Sequence, residues 1–586
     1  MRSAARVAAL VAAATACLVT LSVAPASAET PGPVPQAPDG LAPMCAVHRS
    51  ITAPRPDDAE RAQALLSGRV MVSSYPAQDL PEDIDWSKPA LSTDNYEVWF
   101  QSLVWTDPLR REWLRTGDTR YRDRWVEILR DFVEDNADRS QPLTMWSWYD
   151  HPMGQRATVL ACATSELGLQ PWLVDGLEEH IEANSDPASY IGIGNHALMQ
   201  NAGLLAAGTA LGDDEAVDLA LDRTRRLLTI AVSPDGVSLE GSISYHGYND
   251  AWWSEMLRAI EAAGQELPAG SERVALMDRF GADMTLPDGT VVNIGDGFPT
   301  DRSDYDWRDA RAFAVYSPGY LVSRTSGAPG RTVLATRYGQ PMKAMIHGHR
   351  DAGSLELWAF GTRMITDSGS YAYNGGFWRS WVRSPGAHSG VSANGADYLS
   401  EAQGRLVRAV RRNGYLTATF ELPVLGGVTW YRTIKQSLDY GWVVVDDQLR
   451  APASTSWVQR WQVPDDVDYQ VLPARIDQTS GPGAKVSILA VGGAPKISVR
   501  SGVGGSRLYS TAGWRSYRYE EIEPAPTVEL RAYGSSWHAV TLIVPRAYGE
   551  TAKTVQATDV RVTPAGAALT VRTARGSART SITRLG

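Results

Sequence analysis

Four short stretches of the chain gather the side chains that could do chemistry, and they hold five of its nine histidines. The first is Gly192-Ile193-Gly194-Asn195-His196, opening an amphipathic segment. A helix N-terminus there would offer free N–H groups and a positive dipole end to an anion; the plainer alternative is that Asn195 only caps the helix. The second runs from Leu239 through Tyr245, His246 and Tyr248 to Asp250, ahead of a helix that carries Trp252 and Trp253. Tyr245 can serve as acid or base where neighbouring positive charge lowers its pKa from about 10; an aromatic cap over a helix bundle would use the same rings. The third, His347-Gly348-His349-Arg350-Asp351-Ala352-Gly353-Ser354, runs into a strand. Residues two apart on an extended backbone face one side, so the two histidines could share a metal or divide between metal and substrate. The fourth extends from Arg363 through Asp367-Ser368-Gly369 and Tyr373 to Arg379, Arg383 and His388. Zinc takes three or four ligands from His, Asp, Glu and Cys, and His349, Asp367 and His388 make such a set if a sheet brings them together.

The elements that must position these residues fall into two textures. From about residue 57 to 285 apolar residues recur with helical spacing over Asn95–Trp105, Tyr121–Asn136, Met153–Leu167, Pro171–Ala183, Asn195–Leu211, Asp214–Ile230 and Asn249–Ala263. Short Gly, Pro, Asp and Asn breaks separate them, which predicts stacked antiparallel hairpins in a solenoid or closed toroid. From about residue 315 short alternating runs take over: Arg331–Arg337, Ser354–Gly361, Leu416–Leu422, Thr429–Ser437, Trp442–Asp447, Val486–Val491, Val528–Ala532 and Ala539–Val544. These predict an antiparallel all-β domain. The junction falls in the Asp- and Gly-rich stretch Asp288–Tyr320, giving a helical domain over 29–315 and a sheet domain over 316–586.

Composition bounds the class. The 586 residues are 44% hydrophobic and 21% charged, near globular averages, which excludes wholesale disorder and a collagen-like fibre. A net charge of −10 argues against a general nucleic-acid binder. The 20 Trp and 23 Tyr outnumber 8 Phe, and rings with a polar edge suit sugar faces as well as cores. Residues 1–28 read as a secretory signal peptide, with Arg2 and Arg6, an apolar run and Ala26-Ser27-Ala28 at the cleavage site. Its removal predicts an extracellular protein of charge −12 with no membrane association, since no later segment is long and apolar enough to span a bilayer. Cys45 and Cys162 then remain, either bridged or as two buried thiols.

Taken together, these residues resemble the heparinase II/III-like superfamily of polysaccharide lyases, which includes heparin lyases and alginate or oligoalginate lyases. The resemblance rests on Asn195-His196, Tyr245-His246, His347-x-His349-x-Asp351-x-Gly353-Ser354, Gly361, Asp367-Ser368-Gly369, Tyr373 and Ala387-His388-Ser389, in the family's order from about residue 90 to 545. Many members carry Asp-Pro-Gly and Ala-His-Asn where this chain has Asp367-Ser368-Gly369 and Ala387-His388-Ser389; neither change removes a ligand. The resemblance implies a multidomain α+β fold, an incomplete α/α toroid followed by an antiparallel β-sandwich.

It also implies a carbon–oxygen lyase that cleaves a uronic-acid polysaccharide at C4 by β-elimination. Asn195 and His196 would neutralise the uronate carboxylate, Tyr245 would protonate the leaving oxygen, and the base would be Tyr245 or His347. His349, Asp367 and His388 would hold a mainly structural Zn2+ that pins the loop carrying His347. Arg156, Arg350, Arg379 and Arg383 would grip substrate anions, with His246, Tyr248 and the tryptophans Trp146, Trp148, Trp252 and Trp253 along the sugar. An acidic enzyme on a polyanion needs a local basic cleft, and a polymer with uronates among neutral sugars fits better than densely sulfated heparin; salt screens the remaining repulsion beyond ~8 Å. His48, His151, His180 and His538 stand outside this constellation, and a homodimer is left open.

Two rivals differ in class. A glycoside hydrolase on an α/α toroid would pair carboxylates among Glu240, Asp250, Asp296 and Asp351. A non-catalytic carbohydrate-binding protein would not need both Tyr245 and His347.

Overall fold

The computed structural model describes residues 34–583 apart from 39, 49–54, 326–330, 340–345, 374, 394–402 and 424–426; the segment 1–28 lies outside the described residues. Helices come first. They are α1 (Leu41–Val47), α2 (Asp58–Leu66), α3 (Asp94–Gln101), α4 (Asp107–Thr116), α5 (Thr119–Asp135), α6 (Asp150–Leu167), α7 (Pro171–Ser185), α8 (Gly194–Leu211), α9 (Asp214–Ala231), α10 (Ile243–Ala262) and α11 (Met277–Asp283). Side chains start several of them: Thr93, Asp118, Asp213 and Ser242 each accept a backbone N–H from the first turn of α3, α5, α9 and α10. Pro108 and Pro171 occupy the first turns of α4 and α7, and Gly117 and Gly212 close α4 and α8 in the left-handed conformation.

The Ser242 cap corrects one expectation. α10 begins six residues before the expected Asn249, so Tyr245, His246 and Tyr248 lie on the helix rather than ahead of it. Their aromatic spacing continues the helical period, and Gly247 does not interrupt it.

The inner pair of the toroid is α6 and α8, which bury residues around most of their circumference. Their backbones touch where both lack a side chain. A Cβ on Gly154 would lie 2.4 Å from Met199 O, and one on Gly203 would lie 2.2 Å from Gly154 O. This approach sets the N-terminal ends of α6 and α8, with Asp150 and Asn195-His196, side by side. Cys45 of α1 is disulfide-bonded to Cys162 of α6, so the sequence's open choice resolves to the bridge.

Sheets follow. A five-stranded antiparallel sheet runs in sequence order through β1 (Phe313–Tyr316), β2 (Tyr320–Arg324), β3 (Thr332–Arg337), β4 (Leu355–Ala359) and β5 (Thr362–Ile365). The short helix α12 (Phe377–Val382) and β6 (Val391–Ala393) come next. A ten-stranded sheet is then built from β6, β7 (Arg405–Arg412), β8 (Tyr415–Pro423), β9 (Thr429–Ser437), β10 (Val443–Gln462), β11 (Tyr469–Leu472), β12 (Arg475–Gln478), β13 (Lys485–Gly492), β14 (Lys496–Arg500) and β15 (Thr527–Arg546). The expected Val528–Ala532 and Ala539–Val544 are one strand, β15, which pairs along its length with the equally long β10. Three further strands, β16 (Gln556–Thr563), β17 (Gly566–Thr573) and β18 (Gly576–Thr583), make a third sheet that the sequence reading missed.

Alternation along the strands explains the layers. In β2 and β3, Leu321 and Leu334 face a core shared with Phe420, Ile434 and Trp461 of the large sheet. Val322, Val333 and Ala335 point the other way, onto Phe280, Met284 and Ile243 of the helical region. The small sheet is therefore buried on both faces, so every residue of β2 and β3 is buried, including the Thr, Ser and Arg at their ends. The third sheet packs Leu569, Val571 and Ile582 against Val444 and Leu542 on the far side of the large one. Inside the sandwich the buried Arg432 is paired with both oxygens of Asp447 at 2.8 and 2.7 Å. It also donates to the carbonyls of Gly353 and Ser389, tying the large sheet to the two loops that carry His349 and His388.

The Cys45–Cys162 bridge closes a loop of 117 residues. Cys162→Ser is expected to cost about 3–5 kcal/mol of unfolding free energy through the freer unfolded chain. Urea denaturation of the oxidised protein and the variant reads this; coincident midpoints would mean that packing alone holds α1.

Candidate active site

Three loops are laced together by main-chain bonds where the helical region meets the first sheet. His347 N donates to Glu240 O, Asp296 N donates to His347 O, and Ile243 N donates to Ile294 O. The crossing is close: a Cβ on Gly295, whose φ is +76°, would lie 2.2 Å from Gly241 O. Two buried carboxylates, Glu240 and Asp296, are thereby placed on either side of the His347 ring.

Asp296 is the centre of the arrangement. Its Oδ2 accepts His347 Nδ1 at 2.9 Å and Arg379 Nη2 at 2.7 Å. Its Oδ1 accepts His349 Nε2 at 2.8 Å, Ser370 Oγ at 3.1 Å and Arg379 Nη1. Burial alone would raise this carboxyl, but the bonds from Arg379, His347 and His349 outweigh it and hold Asp296 well below the usual carboxylate range. A carboxylate accepts only, so His347 donates from Nδ1, and in the neutral ring Nε2 is the acceptor.

Glu240 organises the other side. Asn195 donates to it from its backbone N–H at 2.6 Å and from Nδ2 at 3.1 and 3.0 Å. Asn249 Nδ2 adds a further bond at 2.8 Å, and His347 Nε2 lies 3.9 Å from Oε2. Tyr245, one turn into α10, stacks on the His347 ring with centroids 3.4 Å apart and planes 14° apart. Its hydroxyl donates to Tyr373 Oη at 2.6 Å, across from the helix to the loop after β5. The condition under which the Tyr245 pKa would be lowered is not met. Burial drives it far above the ordinary tyrosine range, with Tyr373 and the Asp296 and Glu240 carboxylates adding to the effect. Tyr373 is pushed up to about 12, again chiefly by burial.

His349, Asp367 and His388 do converge. One ligand atom from each lies within 4.8 Å of the others, and all three residues are buried. His349 Nδ1 and His388 Nε2 are buried with no hydrogen-bond partner, while their opposite ring nitrogens are taken by Asp296 and Asp367. Two orphaned imidazole nitrogens beside a carboxylate are the donor set a zinc ion requires, so these residues fit the group.

Several expected substrate contacts are corrected. Arg156 is wholly buried, bonded to Gln101 O, Ser147 O and His180 Nε2 and lying over the Phe132 ring. His246 is a core residue between Ser238 N and Met277 O, with the Phe280 ring against it. Trp253 is also core. Arg379 belongs to Asp296, and Arg383 donates to the carbonyls of Ile346 and Gly348. They shape the site from behind, so the expected basic cleft is not built from them. Arg350 is exposed, as are Tyr248 and Tyr373; Trp146, Trp148 and Trp252 are half-buried. Trp148 lies against Arg156 and His180.

Other residues carry more than the sequence reading allowed. Glu240 and Asp296 were weighed only as hydrolase carboxylates, and both are tied up in fixed hydrogen bonds. Asp351 is likewise paired with Arg337, and Asp250 accepts from Tyr305. The Gly295-Asp296-Gly297 sequence, an acid between two glycines, was the available signal for Asp296. His151 was placed outside the constellation, yet its ring packs on His196 with centroids 3.9 Å apart.

Comparisons with known proteins agree with this architecture. The chain matches the family Heparinase II/III N-terminus over residues 48–318 and the family Heparinase II/III-like, C-terminal over residues 308–563. It is 22% identical over 390 residues to a heparin-sulfate lyase of Bacteroides thetaiotaomicron, covering 56% of this chain and 55% of that protein. A second heparin-sulfate lyase, from Bacteroides stercoris, is 22% identical over 383 residues, covering 54% of this chain and 57% of that protein. The matched stretch thus spans about half the length of these curated relatives. Among solved structures, Heparinase III superposes with a TM-score of 0.72 at 16% identity, covering 92% of each chain. The heparan sulfate lyase HepC of Pedobacter heparinus gives 0.68 at 16% identity, covering 92% of this chain and 90% of that one. At these identities the likeness is one of fold: a toroid of helices followed by antiparallel sheets.

Removing Asp296 would strand Arg379 as a buried charge and release both histidines. Asp296→Ala is therefore expected to cost about 3–5 kcal/mol of stability. Thermal and urea unfolding measure it, and a loss below about 1 kcal/mol would show that the cluster is held by its backbone bonds alone.

Proposed function

The chain belongs to the heparinase II/III-like family, and on that premise we propose that it is an extracellular polysaccharide lyase that cleaves a uronic-acid polymer by β-elimination. The carrying observation is the meeting of Tyr245 from α10 and His347 from the sheet side, ring on ring, between the carboxylates of Glu240 and Asp296.

The C5 proton beside an ionised carboxylate is very weakly acidic, because its removal adds negative charge to a group that already carries one. Asn195 and His196, in the first turn of α8, answer that charge as donors at a helix N-terminus. Glu240 holds the Asn195 backbone N–H and one Nδ2–H, so the second Nδ2–H is the one left for an incoming carboxylate, with the part-exposed His196 ring beside it. Of the two candidate bases, the physical case favours His347. Its Nδ1–H is fixed on Asp296, leaving Nε2 as the acceptor for the C5 proton. Tyr245, driven upward by burial and two nearby carboxylates, is costly to ionise and holds its proton until the C4–O bond breaks. It is therefore the acid that protonates the leaving oxygen.

When bound by His349, Asp367 and His388, a zinc ion would supply a rigid cross-link between the loop after β5 and the His347 loop. His349 reports that position to His347 through Asp296, which bonds both rings. The polymer we favour carries uronates among neutral sugars. Arg156, Arg379 and Arg383 are spent on protein partners, and the rings of Tyr248 and Tyr373 stand exposed beside Tyr245.

Incubation with a panel of uronic-acid polysaccharides should generate the ultraviolet absorbance of a conjugated double bond. Tyr245→Phe and His347→Ala should each lower that rate by roughly 10²–10⁴-fold while leaving the fold intact. Reducing ends without the absorbance would indicate hydrolysis instead. Replacement of His349 by Ala should lower zinc content and melting temperature together; an unchanged zinc stoichiometry by elemental analysis would reject the ligand set.

A further inference from the structure

The start of α6 holds a conformation that needs a reason. Asp150, its first residue, has φ of +62°, in the left-handed region that non-glycine residues rarely occupy. The residue is 8% exposed, and its Oδ1 is a point of convergence. It accepts the His151 backbone N–H at 2.6 Å, His151 Nδ1 at 3.2 Å and His196 Nδ1 at 2.8 Å. The His151 ring lies against the His196 ring on one side and edge-on to Trp99 on the other. His196 is thus held at Nδ1 and along its face, yet its side chain keeps 39% exposure. The clasp is possible because Gly154 and Gly203 bring α6 and α8 into backbone contact a few residues further on.

We propose that Asp150 is the positioning residue of the substrate-carboxylate seat: it fixes His196 with Nδ1–H on its own carboxylate and Nε2 presented to the cleft. In this left-handed backbone conformation one carboxylate oxygen takes the His151 N–H of its own helix and reaches His196 Nδ1 on α8 at the same time. His151 serves as the packing wall. Burial pushes it down to about 4, so it stays neutral at pH 7 and cannot itself be the cation that answers the substrate. An acceptor behind a histidine is the same device that Asp296 provides for His347, so both imidazoles of the site are aimed by buried acids. The proposal rests on the lyase reading for its substrate, and the test separates the two.

Asp150→Asn keeps an acceptor and a residue type that tolerates the left-handed backbone, while removing the charge. On whichever uronate polymer the wild type cleaves, Asp150→Asn should lower kcat/KM at least tenfold with an unchanged melting temperature. His196→Ala should do the same, and the double variant should fall no further than His196→Ala alone. Binding supplies a readout that a merely structural role would not move. In the Tyr245→Phe background, Asp150→Asn should weaken calorimetric binding of the same polymer's oligosaccharide about tenfold. Binding of the carboxyl-reduced oligosaccharide should not change. Additive losses in the double variant, equal weakening of both oligosaccharides, or wild-type kinetics in Asp150→Asn would each overturn the proposal while leaving the lyase reading standing. Absence of elimination on every uronate polymer would overturn both.

Discussion

One buried carboxylate bears most of the organisation of this molecule. Asp296 receives two imidazoles, a guanidinium and a hydroxyl, drawn from three segments of chain between residues 347 and 379. An isolated buried carboxylate would neutralise itself rather than stay charged, so its charge is sustained by these donors together, Arg379 first among them. The dependence runs both ways. Arg379 is buried only because it has this partner, and the two histidines take defined tautomers because an acceptor lies behind each. This ionic knot joins the apolar contacts and main-chain bonds that hold the sheet region against the helices, and it decides which nitrogen of His347 faces outward.

The electrostatics that follow are the reverse of a simple attractive groove. Glu240, Asp296 and Asp150 stand behind the donors, and Arg156, Arg379 and Arg383 are turned inward. Negative charge one layer back makes imidazoles better proton acceptors and amides more firmly aimed, at the price of attraction for a polyanion. What stands outward of these acids is the exposed rings of Tyr248 and Tyr373 and the part-exposed His196.

Much of the fold was legible in the sequence. Helical period gave seven helices with ends shifted by a few residues, and strand alternation found the central strands of the large sheet. What escaped has physical causes. Ser242 looks like loop punctuation until its hydroxyl is seen capping Tyr245 N, so α10 began too late. β15 was read as two strands because Gly534, Ser535 and Ser536 interrupt its apolar alternation at the bulge opposite β10. The last three strands are short, polar on one face and rich in Thr and Arg, which leaves little alternation to find.

The site was legible in a narrower sense. Histidines and tyrosines have few bland uses in polar, glycine-rich segments, so Asn195, Tyr245, His347 and the His349–Asp367–His388 set stood out by residue type. Acids and arginines have many, and only their partners distinguish them. Asp296 meets its partners 51 to 83 residues away and Asp150 meets His196 46 residues away, separations that no local pattern encodes. The same holds for the arginines: an exposed side chain and a buried strut are spelled alike, and only burial tells Arg350 from Arg156. Side chains of distinctive type can thus be nominated from sequence, whereas the buried groups that hold them become visible only once the chain has folded back on itself.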